Sequence, residues 1–360
     1  GMSMRRNLTL WGKLFCLVLL LLCLTPQARA AELEVPGLDE LWDTAESYGV
    51  TEGGDFDRGL AGLFNEALAR AGDLLRRSIV TAGKLLAIAA LCALAKGAGE
   101  DTLPTVEIAG ALAITALTVS DMGTMIGLGR DTIAKMNVFS DVLLPVMAVL
   151  TAATGQVTSA AVRQGATILF VQLLLSLVDC ILVPLLYAYV AVCCAQAAVG
   201  NPGLGKVAGL IKSAVQSILT GVLLAFVGYL TASGAIAGTA DAAAIKAAKL
   251  AMGRMIPVVG GILADAAESV LAGAGILKGS VGAAGLLVVL SICITPFLRL
   301  GLHYLTYKAA AALTATIASP RLSQLVDSIG SAFGLVLGMT GACALLLLFS
   351  LVSAVMAVTP

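Results

Sequence analysis

Charged residues are scarce in this chain, and those present cancel. Only 12% of the 360 residues are charged, and 22 Lys or Arg side chains balance 22 Asp or Glu side chains. Soluble domains carry roughly 25% charge, and a nucleic-acid-binding surface needs a clustered basic excess. The shortage therefore excludes an ordinary soluble domain and argues against a nucleic-acid partner.

Residues that build metal sites and catalytic centres are also sparse. His303 is the only histidine, the eight cysteines form no CxxC pair, and neither HExxH nor GxSxG occurs. We therefore expect no catalytic residue, no metal site and no cofactor. The six cysteines beyond residue 30 are interpreted as small apolar side chains.

Apolar sequence dominates what remains. The mean hydropathy is +0.98, and 59% of the residues are hydrophobic. A membrane-spanning helix needs about 20 predominantly apolar residues, so we predict an all-α polytopic membrane protein. Residues 141–153 are too short for one span, and 165–199 are long enough for two passes, or for one and a half. The apolar stretches lie at about 78–95, 106–127, 141–153, 165–199, 215–237, 281–298 and 333–357.

Residues 1–30 have the three parts of a secretory signal peptide: a basic start, an apolar run from Leu14 to Leu24, and the small-residue pattern that ends at Ala30. We predict cleavage between Ala30 and Ala31. The alternative is an uncleaved signal anchor.

Residues 31–77 are predicted to lie outside the membrane. Nine acidic and no basic side chains occur in 32–57, and apolar residues then recur at helical spacing in 60–77 beside three arginines. This pattern is typical of an acidic extracytoplasmic segment followed by a helix on the membrane surface. The membrane domain would then comprise 78–360.

Four prolines in apolar surroundings suggest that the chain repeats itself. Pro145 and Pro184 are separated by the same distance as Pro257 and Pro296, and the stretch from Asn201 resembles the stretch from Ser319. We interpret these as two repeat units, about 106–217 and 218–335, followed by a closing span at 333–357.

The same prolines are expected to break helices or mark re-entrant segments. Paired broken helices in two halves of a transporter lie at a midplane binding site. Whether the two units are parallel or inverted stays open, because the number of crossings per unit is undecided.

Two charges inside apolar sequence are candidates for an intramembrane polar site. A charge in lipid is costly unless it is paired or hydrated, so Asp179 and Arg299 are predicted either to pair or to lie separately. In the second case Asp179 sits at a helix junction and Arg299 reaches an interface.

Residues 204–217, with Lys206 and Lys212, and residues 239–273 are predicted to be amphipathic, and the charges of both stretches are candidates for pore lining or for a membrane surface. A helix would place Asp265 and Glu268 on one face. The five candidates within 239–273 are Lys246, Lys249, Arg254, Asp265 and Glu268.

One stretch carries a family resemblance. Residues 247–300 include "MIPVVGGILADAAESV" and "SICITPFLRL", and they resemble the stage III sporulation protein AE family of endospore-forming bacteria. The resemblance extends to the acidic lead segment with Trp42 and to the run from Tyr307 to Ala311.

That resemblance implies a component of a trans-envelope channel, or feeding-tube, complex. Its place would be the mother-cell membrane surrounding the forespore, where it supports forespore development after engulfment. The implied partners are the other stage III sporulation A-operon proteins and, through them, stage II sporulation protein Q. No catalytic residues follow from the family.

Small residues throughout the predicted helices favour close packing and a homo-oligomer. A stand-alone secondary transporter, with its site between the repeats, is the alternative function. An intramembrane enzyme is the weakest hypothesis, since Asp179 has no second acid as a partner.

Overall fold

The computed structural model describes residues 36–51, 56–97, 103–153, 157–232 and 280–358, and within these ranges no strand occurs. Helices α1 to α8 follow in chain order, with a short π-helical turn between α4 and α5. They are α1 Leu38–Ser47, α2 Phe56–Lys96, α3 Leu103–Ala153, α4 Val157–Leu177, the π-turn Val178–Leu182, α5 Val183–Val199, α6 Pro202–Ala232, α7 Ser280–Ile317 and α8 Pro320–Val358.

Six helical runs among the described residues are long and apolar enough to cross a membrane. The prediction of an all-α polytopic membrane protein is confirmed. The six runs are Phe56–Lys96, Pro104–Val149, Gln164–Val199, Pro202–Ala232, Val281–Ile317 and Pro320–Val352.

Helix α8 is the centre of the bundle. It packs against α3, α4, α5, α6 and α7, and 89% of its apolar stretch is buried, against 22% of that in α2. Beyond Ser331 the sequence of α8 is almost entirely apolar, which suits a helix enclosed by other helices. Helix α2 lies at the edge, against α3 and α7.

The helices are longer than the apolar stretches of the sequence. The expected surface helix at 60–77 and the span at 78–95 are one continuous helix, α2. Residues 141–153 are the end of the 51-residue helix α3, which is roughly 75 Å long at 1.5 Å per residue. Stretch 165–199 lies in one helical run, so it does not turn back on itself.

The helix breaks expected at Pro145 and Pro296 are not observed. Helix α3 continues through Pro145, and α7 continues through Pro296. A proline in a helix forfeits one backbone hydrogen bond, but neighbouring helices and local adjustment tolerate this loss in membrane proteins.

At Pro184 the helix is distorted rather than broken. The preceding π-turn has the Val183 N–H donate to Val178 O, one residue further back than in an α-helix. This wider turn places Pro184 in the first turn of α5, where its missing N–H is tolerated.

Two helical hairpins, α5–α6 and α7–α8, both begin their second helix with a proline. Gly200 has φ 75° and ends α5, the Gly203 N–H donates to Asn201 Oδ1 at 2.8 Å, and Pro202 starts α6. In the second hairpin, Ser319 precedes Pro320, which is the first residue of α8. The shared Asn-Pro and Ser-Pro starts agree with the pairing of these stretches in the proposed repeat, which stays a prediction.

Candidate functional site

A polar cavity of about 520 Å³ lies among α5, α6, α7 and α8. Gln196, Gln324 and Ser328 provide amide and hydroxyl groups to its wall. Polar side chains are rare in this chain, so their convergence within one cavity marks the strongest candidate for a binding site.

Small residues leave the room for this cavity. Helix α6 contributes Gly205 and Gly209 to the wall, and α7 contributes Ala311, Ala312 and Ala315. A Cβ added at Gly209 would meet nothing within 4 Å, whereas one at Gly205 would meet the Gln196 amide at 2.8 Å. The cavity is therefore a consequence of glycine and alanine on two facing helices.

Two lysines from different helices meet at one serine of α8. The Lys308 ammonium donates to Ser331 Oγ at 2.8 Å, to Asp327 Oδ1 at 2.8 Å and to Asp327 O at 3.2 Å. The Lys212 ammonium reaches the same Ser331 Oγ at 3.4 Å. Ser331 is buried, with 6% exposure.

These groups leave an uncompensated positive charge. Asp327 forms an ion pair with Lys308, and it is the one acidic side chain that lines the cavity within the described residues, while two ammonium groups line it. A positive surplus in a bundle this apolar favours an anion. Such a site can hold and orient an anionic group.

A second charged cluster lies beside the first, where the hairpins turn. Glu107 at the start of α3 accepts from Lys96 at 2.8 Å and pairs with Arg321 at 3.1 Å. The Arg321 guanidinium packs against Gly200, where any Cβ would collide with it. A smaller cavity of about 210 Å³ adjoins here and shares Gln196, Gln324 and Ser328 with the larger one.

Asp179 and Arg299 are not paired with each other. Asp179 lies in the π-turn and forms an ion pair with Arg130 Nε of α3 at 2.8 Å, with the two side chains 51% and 54% exposed. The sequence-based alternative, with Asp179 at a helix junction and Arg299 at an interface, stays a prediction.

Arg299 occupies a different environment. Its Nε is buried without a hydrogen-bond partner among the described residues, and its backbone carbonyl contacts His303 Nδ1 at 2.9 Å. The ring of His303 in turn packs edge-on against Phe333 of α8. This histidine is thus part of the helix packing.

Other predicted positions fall elsewhere. Pro145 and Pro296 lie inside helices away from the cavity wall, and Pro184 lies next to the π-turn. The cleavage site at Ala30 and Ala31, and the candidates Pro257, Lys246, Lys249, Arg254, Asp265 and Glu268, lie outside the described residues.

The described part of the chain contains no group of three or more His, Cys, Asp or Glu side chains suited to a metal ion. The six cysteines from Cys92 to Cys343 are free thiols. Four of them are buried, Cys194 is half-buried and Cys180 is exposed.

Sequence reasoning placed Lys212 on an amphipathic stretch that lies on the membrane surface or lines a pore, and it assigned no site role to Lys308 or Asp327. Each of these residues lies one to three turns from a helix end, next to small residues. Charges in such positions are typical of the exposed polar face of an amphipathic helix. The pairing of 201–215 with 319–333 in the proposed repeat aligns Lys212 with Gly330 and does not by itself predict the contact with Ser331.

Comparison with known proteins places the chain in a family. The family described as Stage III sporulation protein AE matches residues 48–359. Stage III sporulation protein AE of Bacillus subtilis (strain 168) is 24% identical over 202 residues, which cover 56% of this chain and 51% of that protein. The chain thus matches about half the length of this curated relative, and no solved structure matches it. Since the family match includes most of the chain, the protein belongs to the stage III sporulation protein AE family.

Proposed function

We propose that the protein is an integral membrane component of the trans-envelope channel, or feeding-tube, complex that links mother cell and forespore during endospore formation. Its place is the mother-cell membrane surrounding the forespore. Its partners are the other stage III sporulation A-operon proteins and, through them, stage II sporulation protein Q. The family match over residues 48–359 carries this proposal, and the role is not enzymatic.

The outer surface of the bundle supports assembly within a membrane. Helix α2 exposes large apolar side chains along most of its length, including Phe64 at 60% and Leu94 at 74% exposure. Such a surface is stable against lipid or against apolar helices of a partner. We therefore include a homo-oligomer in the proposal.

Deletion and complementation test this role. In a sporulating host that carries this chain as its only copy, deletion is expected to stop spore development after engulfment. Expression from a mother-cell promoter is expected to restore spores, whereas expression from a forespore promoter is not. Normal spores in the deletion strain, or rescue from the forespore alone, would contradict the proposal.

One observation favours a second candidate function, a stand-alone secondary transporter. The polar cavity lies between the two hairpins that the proposed repeat pairs with each other, as expected for a substrate site between repeat units. Solute uptake by the purified chain alone in liposomes would support the transporter. Uptake that requires the other complex proteins would support the channel component.

A further inference from the structure

We propose that the cavity among α5, α6, α7 and α8 binds a small carboxylate that carries one negative charge, and that Lys212 is its anchor. This inference concerns the purified chain by itself. It goes beyond the proposed role in the complex and does not depend on it.

The hydrogen-bond donors of the two lysines differ in availability. An ammonium group has three donors, and Lys308 uses all of its own on Asp327 Oδ1, Asp327 O and Ser331 Oγ. Lys212 has a single long contact, 3.4 Å to Ser331 Oγ. Of the two lysines that line the cavity, Lys212 is therefore the one with donors left for a ligand among the described residues.

The local charge sets the valence of the ligand. Lys308 and Asp327 neutralise each other, so the surplus is the single charge of Lys212. One bound carboxylate cancels this surplus. A dianion such as succinate would bring a second negative charge towards Asp327, and the two negative charges repel each other.

Size and lining favour a small polar molecule. A volume of about 520 Å³ is within the range of ligand pockets, and Gln196 and Gln324 offer amides to a hydroxyl or carbonyl next to the carboxylate. The helix faces around Lys212 carry glycine and alanine, so they leave space without forming a long apolar groove for an acyl chain. A soluble hydroxy acid fits this lining better than a lipid does.

Competition at individual lysines tests the proposal. The detergent-purified full chain is treated with an amine-reactive reagent in sodium lactate or in sodium chloride of equal ionic strength, and labelling rates are read by mass spectrometry. Lactate is expected to slow labelling of Lys212 saturably, by at least about threefold. Lys206, exposed on the same helix, is the internal control and is expected to keep its rate.

The charge argument is tested with Asp327→Asn. Removing this carboxylate is expected to let succinate protect Lys212 at concentrations about tenfold lower than in the wild type. Asp131→Asn is the matched control, because Asp131 also forms an ion pair but with exposed Lys135 in α3. If Asp327→Asn does not fold, Gly209→Leu serves instead, since its side chain enters open space in the cavity and is expected to make Lys212 labelling insensitive to lactate.

Four results would overturn the proposal. The first is equal protection of Lys206 and Lys212, and the second is the absence of protection of Lys212 by lactate, acetate or pyruvate. The third is an identical response of Asp327→Asn and Asp131→Asn to succinate. The fourth is protection of Lys212 only by phosphatidylglycerol in the micelle. The last would identify the cavity as a site for a lipid phosphate.

Discussion

Lys212 and Lys308 contact the same serine but differ in what holds them. Lys308 has a complete set of partners, whereas Lys212 has one distant hydroxyl and a second ammonium nearby. An incompletely paired charge in an apolar bundle lowers stability. Such a loss of stability is expected where the residue serves binding.

Substitution of each lysine by methionine distinguishes the fully paired Lys308 from the incompletely paired Lys212. Lys308→Met is expected to lower the unfolding free energy by about 1 kcal/mol, because it leaves Asp327 without its ion-pair partner at a partly exposed site. Lys212→Met is expected to leave stability unchanged or to raise it by about 0.5–1 kcal/mol, since the charge is removed and the methylene packing kept. Thermal unfolding of the purified protein in one detergent measures both.

Lys308→Met serves as the control for Lys212→Met, since both remove one ammonium from one cavity. A loss of stability in Lys212→Met as large as that in Lys308→Met would show that Lys212 is a structural donor. The binding role proposed for it would then lose this support.

At the same scale, the sequence marked Asp179 as an intramembrane charge that either pairs with Arg299 or lies apart from it. It could not identify the observed partner, because Arg130 is 49 residues away in α3, and the packing of α3 against α4 and α5 cannot be read from local spacing. The four-residue spacing rule works within a helix. Contacts between helices follow from the fold.

Helices in this protein pack closely where glycine faces a neighbour. Gly129 of α3 is buried against α8, and a Cβ there would meet Val336 Cγ1 at 2.8 Å and Thr340 Oγ1 at 3.2 Å. Because valine is branched at Cβ, its methyl group has little freedom to move aside. Gly127, two residues earlier, faces away, and a Cβ there would meet nothing within 4 Å.

Gly129→Ala is expected to destabilise the protein by about 1–2 kcal/mol through overpacking between α3 and α8. Gly127→Ala makes the same chemical change in the same helix and is expected to be neutral or to stabilise by about 0.5–1 kcal/mol, because alanine favours the helix. Thermal unfolding compares the two variants. Equal effects would mean that α3 and α8 do not approach at Gly129.

Element boundaries were the weaker part of the sequence prediction. Hydropathy marks where a helix is apolar, and it identified the apolar parts of α2, α3 and α7. It does not mark where the helix ends, because a helix continues through polar residues such as Arg76 and Arg130 when nothing in the backbone stops it. Proline also proved a poor end signal here, since Pro145 and Pro296 lie within helices.

For the whole molecule, composition was sufficient to predict the class. A chain with 59% hydrophobic residues, little charge and repeated apolar stretches has few stable options besides helices in a membrane. The central position of α8 could not be predicted from the sequence, because several stretches are equally apolar. Only the packing shows that α8 is enclosed while α2 lies at the edge.

The most direct test of the central claim is copurification from sporulating cells. The cells are collected after engulfment, their membranes are solubilised in mild detergent, and the tagged protein is purified. Mass spectrometry then identifies the proteins that copurify with it. Membership of the trans-envelope complex predicts enrichment of the other stage III sporulation A-operon proteins and of stage II sporulation protein Q over an equally abundant tagged membrane protein. Recovery of the chain alone, with none of these partners enriched, would contradict that membership.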